Sequence, residues 1–84
     1  MRYSNNSRAY DQLTSWLKQL REEKGIATSQ LAEMLEVSPS IISKIENNHR
    51  KIDAFELVRY AKALGVSAEE VAVRIEKIIE ETNR

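Results

Sequence analysis

At 84 residues the chain is sized for one small domain, whose core would gain from a partner subunit. It has no cysteine and one histidine, His49, which excludes a disulfide framework and a thiolate or polyhistidine metal site. Thirteen basic residues balance thirteen acidic ones, no apolar run approaches the roughly 20 residues of a membrane span, and no signal-peptide pattern opens the chain, so a cytoplasmic protein is expected.

Residues 1–7 (MRYSNNS) are polar and are expected to form a flexible N-terminal segment ahead of a domain over 8–84. A first helix is predicted over about 8–24. Leu13, Trp16, Leu17 and Leu20 repeat at i, i+3, i+4, i+7, the signature of one buried stripe, and Gly25 supplies the residue that ends it. A short second helix is predicted over 28–35, with Leu31, Ala32 and Leu35 inward. Ala32 is small enough for close helix approach. Ala27 is a poor cap, although Gln30 stands where the return half of a capping box belongs.

After the brief turn at Glu36-Val37, a third helix is predicted over 38–47. Ser38 suits an N-cap, Pro39 suits the first helical position, Ile42 and Ile45 point inward, and Asn47-Asn48 ends the helix because asparagine tolerates a left-handed backbone. A basic connector, His49-Arg50-Lys51, follows. Asp53 and Glu56 open a fourth helix over 53–64, whose apolar stripe is expected at Phe55, Val58, Ala61 and Leu64 before Gly65. Ser67 and Glu70 open a fifth over 67–82, carrying Val71, Ile75, Ile78 and Ile79. The fold class is therefore all-α, a five-helix compact bundle. Charge is uneven along it: residues 38–52 hold three basic side chains against Glu46 alone, while residues 66–84 hold three against five acidic ones.

Two short helices joined by a tight turn, 28–35 and 38–47, make a helix-turn-helix pattern. The stretch from about 13 to 72 resembles the Cro and phage-repressor (XRE) type of helix-turn-helix regulator. The resemblance is carried by Leu20-Arg21 followed by Gly25, then Leu31-Ala32, Val37-Ser38, Ile42-Ser43-Lys44-Ile45-Glu46-Asn47, and Ala61-Lys62-Ala63-Leu64-Gly65-Val66. It implies a lambda-repressor-like fold and sequence-specific binding of double-stranded DNA, with 38–47 as recognition helix in the major groove. It also implies base contacts from Pro39, Ser40, Ser43 and Lys44. Lys44 can donate to guanine O6 and N7, the serines discriminate weakly, and Pro39 offers apolar contact only. For Ser38 and Pro39, capping alone is the competing role. Ile41 is read as packing rather than reading bases.

Phosphate contacts are expected from Thr28, Ser38, Asn47, Arg50 and Lys51, at helix N-termini and in the connector. The resemblance further implies a structural salt bridge between Arg21 and Glu46. Four positions depart from the family pattern: Ala27 stands for a serine or threonine cap, Thr28 for a longer glutamine, Glu36 for a turn glycine and Asn48 for another glycine.

A homodimer reading a two-fold operator is expected, with Ile75, Ile78 and Ile79 at its interface. Val71 and Ile75 are read as packing inward, Ile78 and Ile79 as free to meet a partner. The function read here is transcriptional regulation at the nucleoid, by repression or autoregulation. The alternative is a protein-binding module, such as an antitoxin that grips a toxin or other regulator and binds its own promoter. Restriction–modification controller proteins share the size and pattern. An enzyme is not expected, since no nucleophile-and-base set, glycine-rich phosphate loop or metal-ligand cluster is present, and no cofactor or membrane partner is expected either.

Overall fold

A computed structural model describes residues 6–82. Residues 1–5 of the expected flexible segment lie outside the described residues. Five helices follow one another: α1 (Asn6–Glu23), α2 (Thr28–Leu35), α3 (Pro39–Glu46), α4 (Ala54–Ala63) and α5 (Ala68–Thr82). No strand occurs among the described residues. The boundaries fall within a residue or two of those expected. α1 starts at Asn6 rather than Arg8, because a polar run carries no hydrophobic period to mark where a helix begins.

Each end has a local cause. Gly25 and Gly65 take φ of 70° and 80° after α1 and α4, the left-handed conformation that glycine adopts without a Cβ clash. α4 opens on a true capping box: Asp53 Oδ1 accepts from the Glu56 N–H at 2.8 Å, and Glu56 Oε1 accepts from the Asp53 N–H at 3.0 Å. Ser67 and Glu70 repeat this at α5, at 3.1 and 3.2 Å. α2 has half a box, since Ala27 has no side-chain acceptor and only the Gln30 amide oxygen reaches back to the Ala27 N–H, at 2.7 Å. At Glu36 the φ of 59° is a left-handed backbone that favours glycine, and glutamate there costs on the order of 1 kcal/mol.

α2 packs on α3 and α4, α1 on α3 and α5, and α5 on α4. The core joins Leu13 and Leu17 of α1, Leu31 and Ala32 of α2, Ile42 of α3, Tyr60 of α4, Leu64 at the C-cap of α4, and Ile78 of α5. Each fully buried leucine or isoleucine contributes about 1.5–3 kcal/mol by leaving water.

Two expected faces are corrected. Phe55 does not lie in the α4 stripe; it is 85 % exposed. The buried face runs Leu57, Tyr60, Ala61, Leu64, also at i, i+3, i+4, i+7. Tyrosine turns inward because its hydroxyl has a buried acceptor. Ile78 is not free for a partner. It is 5 % exposed and belongs to the core with Val71 and half-buried Ile75, at i, i+4 and i+7 along α5. Ile79, one position on, is 47 % exposed.

Candidate nucleic-acid interface

The site is built around α3. Ile42 and Ile45 bury its inner face, and Ala32 of α2 is fully buried, which lets the two helices approach closely. Those anchors turn Ser40 and Lys44, four residues apart, into solvent together with Pro39 and Asn47. Ser43 is half-buried beside them. The sequence-predicted base-reading residues thus share one face, sparse in long donors. Ile41 is half-buried and lines an apolar cavity with Leu35, Val37, Ile52 and Tyr60, a packing role.

Ser38 occupies the N-cap with an extended backbone, but its side chain does not cap the helix. Its hydroxyl lies 3.1 Å from that of Ser40. Thr28 opens α2 and is half-buried. Consequently α2 and α3 start without a side-chain cap, while α4 and α5 are capped by their own residues.

The orientation of α3 is locked by a buried polar node. Arg21 Nε donates to Glu46 Oε2 at 2.7 Å and Nη2 to Oε1 at 3.0 Å, a bidentate pair whose side chains are only 10 % and 3 % exposed. Arg21 Nη1 donates to the Ile26 carbonyl at 2.7 Å, and the Tyr60 hydroxyl donates to Glu46 Oε2. One carboxylate at the end of α3 therefore ties down α1, the α1–α2 turn and α4. No buried side-chain nitrogen or oxygen among the described residues lacks a partner. The Glu46 hydrogen bond raises the pKa of Arg21, and burial next to the Glu46 charge pushes the Tyr60 hydroxyl well above its usual range.

The connector is more constrained than its sequence suggests. Arg50 is paired with Glu56, Nη1 to Oε1 at 3.1 Å and Nη2 to Oε2 at 2.8 Å, which anchors it to the start of α4. The Arg50 hydrogen bond holds the Glu56 carboxyl below the usual carboxylate range. The guanidinium charge is locally offset, so among the described residues the unpaired basic charge of this face rests on Lys44 and Lys51. Lys51 sits 4.1 Å from the centre of the Tyr10 ring. Asn48, at φ 61°, accepts from the Thr14 hydroxyl at 2.8 Å and donates to Asp11, and the Tyr10 hydroxyl accepts from the Ile52 N–H. Tyr10, Asp11 and Thr14 were not among the expected site residues. Tyr10, Thr14, Leu17 and Arg21, spaced four, three and four apart, trace a stripe that the apolar pattern alone does not show. Among the described residues no group of three His, Cys, Asp or Glu side chains is placed to hold a metal ion, and no helix is long and apolar enough to cross a membrane.

The model of the helix-turn-helix family matches residues 17–71. The HTH-type transcriptional regulator RamB of Mycobacterium tuberculosis, in its CDC 1551 / Oshkosh and H37Rv strains, is 41 % identical over 54 residues. That stretch covers 64 % of this chain and only 11 % of the relative, so the chain spans about a tenth of the length of RamB. The crystal structure of the clp gene regulator ClgR from Corynebacterium glutamicum superposes with a TM-score of 0.73 at 25 % identity, covering 89 % of this chain and 81 % of that one.

Proposed function

The chain belongs to the helix-turn-helix family, and from that membership and the shape of α3 we propose that it binds double-stranded DNA sequence-specifically as a transcriptional regulator. The observation that carries this reading is the face formed by Pro39, Ser40, Ser43 and Lys44 on a helix whose other side is buried and whose orientation is pinned through Glu46. A helix of this kind fits the major groove, where each base pair shows a distinct set of donors and acceptors. Lys44 supplies the long donor for guanine, and the serines and Pro39 add short-range contacts. The uncapped starts of α2 and α3 support the same reading, because free helix N-termini bind phosphate. Thr28 and Ser38 stand at those two starts. Asn47 and Lys51 take the backbone beyond the helix exit, and Arg50 holds the connector through Glu56 before it meets any phosphate.

Regulation by repression or autoregulation at the nucleoid, in the cytoplasm, follows from that reading. We further propose a homodimer on a two-fold operator, since one short helix reads only half a site. Its interface is the outer face of α5 around Ile79, with half-buried Ile75 at its margin; Ile78 is spent on the core.

Fluorescence anisotropy with labelled duplexes tests the proposal. Affinity is expected to fall linearly on a log–log plot against salt, as counterions are released from the phosphates. Absence of binding to any duplex at low salt refutes it. Light scattering tests the dimer: a two-chain mass is expected, lost in Ile79→Asp, and a monomer at high micromolar concentration with Ile79→Asp unchanged in mass and affinity contradicts it.

A further inference from the structure

The DNA-binding reading sets the segment after α3 beside the phosphate backbone. Residues 47–53 have no regular helix, begin with two solvent-facing asparagines and present His49 and Lys51 to water. A segment of that kind, left to itself, must be ordered at the moment of binding. Here α1 holds it at three points. The Thr14 hydroxyl, itself fully buried, donates to the Asn48 side-chain carbonyl at 2.8 Å. The Asn48 amide donates to the Asp11 carboxylate. The Tyr10 hydroxyl accepts from the Ile52 backbone N–H, and the Tyr10 ring lies under the Lys51 ammonium at 4.1 Å.

Two facts mark this as more than incidental packing. Tyr10, Asp11 and Thr14 all precede residue 17, so the clamp comes from the part of α1 outside the family match. And Asn48 takes a left-handed conformation at φ 61°, the region that favours glycine. Glycine would satisfy that backbone at lower cost, but it has no side chain to reach Thr14 and Asp11 together. The asparagine is explained by the tether it makes.

We infer that Tyr10, Asp11 and Thr14 are positioning residues for DNA binding: they preset the connector so that Lys51 and the backbone around Asn48 meet the duplex phosphates without being ordered on contact. The inference rests on the DNA-binding reading above. Preorganisation of this type raises affinity by removing an ordering cost, and refixing one freed residue costs roughly 5- to 30-fold in affinity. Phosphate contacts are blind to sequence, so the effect is uniform over sites.

The test compares Asn48→Gly, Thr14→Val, Thr14→Ser and Tyr10→Phe with the parent chain. Asn48→Gly keeps the left-handed backbone and removes both side-chain tethers. Thr14→Val keeps the volume and removes the hydroxyl, and Thr14→Ser restores it. Each is measured by anisotropy on a duplex that the parent binds, across a salt series, with thermal unfolding alongside. Asn48→Gly and Thr14→Val are expected to lose roughly 5- to 30-fold in affinity at every salt concentration, with the salt slope unchanged because the same phosphates are neutralised once the segment is ordered, and with base preferences unchanged, while remaining folded at the assay temperature. Thr14→Ser is expected to bind as the parent does. A merely structural role would move the unfolding midpoint and leave the affinity of the folded chain alone. In Tyr10→Phe the Ile52 amide hydrogen is expected to exchange faster, a readout independent of DNA. Unchanged affinity in folded Asn48→Gly and Thr14→Val, or unchanged Ile52 exchange in Tyr10→Phe, overturns the clamp and leaves the DNA-binding reading standing. A parent chain that binds no duplex overturns that reading and the clamp's role with it.

Discussion

Removing the Glu46 carboxylate tests how α3 is held. In Glu46→Ala, Arg21 loses both of its bonds to the carboxylate and keeps only the Ile26 carbonyl, and the Tyr60 hydroxyl loses its acceptor. The Arg21 side chain is 10 % exposed, so its charge stays in a poorly hydrated place. Breaking one side of such a pair costs about 3–5 kcal/mol, most of it the penalty on the charge left behind. The orphaned hydroxyl belongs to the same network, so its own penalty of about 1–3 kcal/mol does not simply add. A domain of this size has roughly 4–13 kcal/mol of total stability, so the variant sits near its unfolding limit. At about 4–8 °C per kcal/mol, the melting midpoint falls by at least about 12 °C.

Glu33→Ala is the control. Glu33 is exposed on α2, and its loss is expected to stay within about 0.5 kcal/mol. Thermal unfolding followed by circular dichroism at neutral pH measures both. Equal midpoint shifts in the two variants would show that Glu46 does not hold α3 through Arg21. The double change Arg21→Met with Glu46→Leu sharpens the test: it removes both charges and fills the space, so most of the lost stability is expected to return. A double variant as unstable as Glu46→Ala would place the cost in packing and in the unpaired Tyr60 hydroxyl rather than in the stranded charge.

Glu36→Gly is expected to stabilise by about 1 kcal/mol, because glycine adopts the left-handed backbone at φ 59° without strain; an unchanged or lower midpoint contradicts this. Lys44→Ala is expected to relax preference at one base per half-site, whereas Lys51→Ala weakens all duplexes alike and lowers the salt slope by about 1; the reverse pattern would exchange their roles. Tyr60 has a folded-state pKa raised above its unfolded value near 10. Its contribution is therefore complete below about pH 10 and is lost as pH rises beyond it, so Tyr60→Phe is expected to show a shallower alkaline decline in midpoint than the parent chain. Glu56 is shifted the opposite way: its stabilisation is present above the unfolded carboxylate value near 4.3 and is lost as pH falls below it, so the parent and Glu56→Gln are expected to converge in acid.

Most of the scaffold was legible in the residues because punctuation and period agree. Gly25, Pro39, Asp53, Gly65 and Ser67 mark ends by mechanisms that act within one turn, and the stripes of α1 to α3 repeat without ambiguity. Arg21 and Glu46 were legible through resemblance rather than through period. The α4 face was misread because a phenylalanine weighs heavily in an apolar count while a tyrosine counts as half polar. What decided the matter was a buried acceptor on another helix, Glu46, which no local pattern contains. Ile78 was misread for a related reason. Four apolar residues on a final helix exceed what one short stripe needs, but only the distance to α1 decides which of two adjacent isoleucines the core takes. The connector was the least legible part. Its basic residues were visible, but whether Arg50 is free or held by Glu56, and whether α1 reaches Asn48 and Ile52, depends on contacts between residues 34 to 42 positions apart for the α1 links.

Selection of binding sites from random duplex DNA reads out the face of α3 itself. Enrichment of a short inverted repeat is expected, with a guanine in each half-site whose preference relaxes in Lys44→Ala. No enriched sequence at low or at moderate salt would contradict sequence-specific binding through α3.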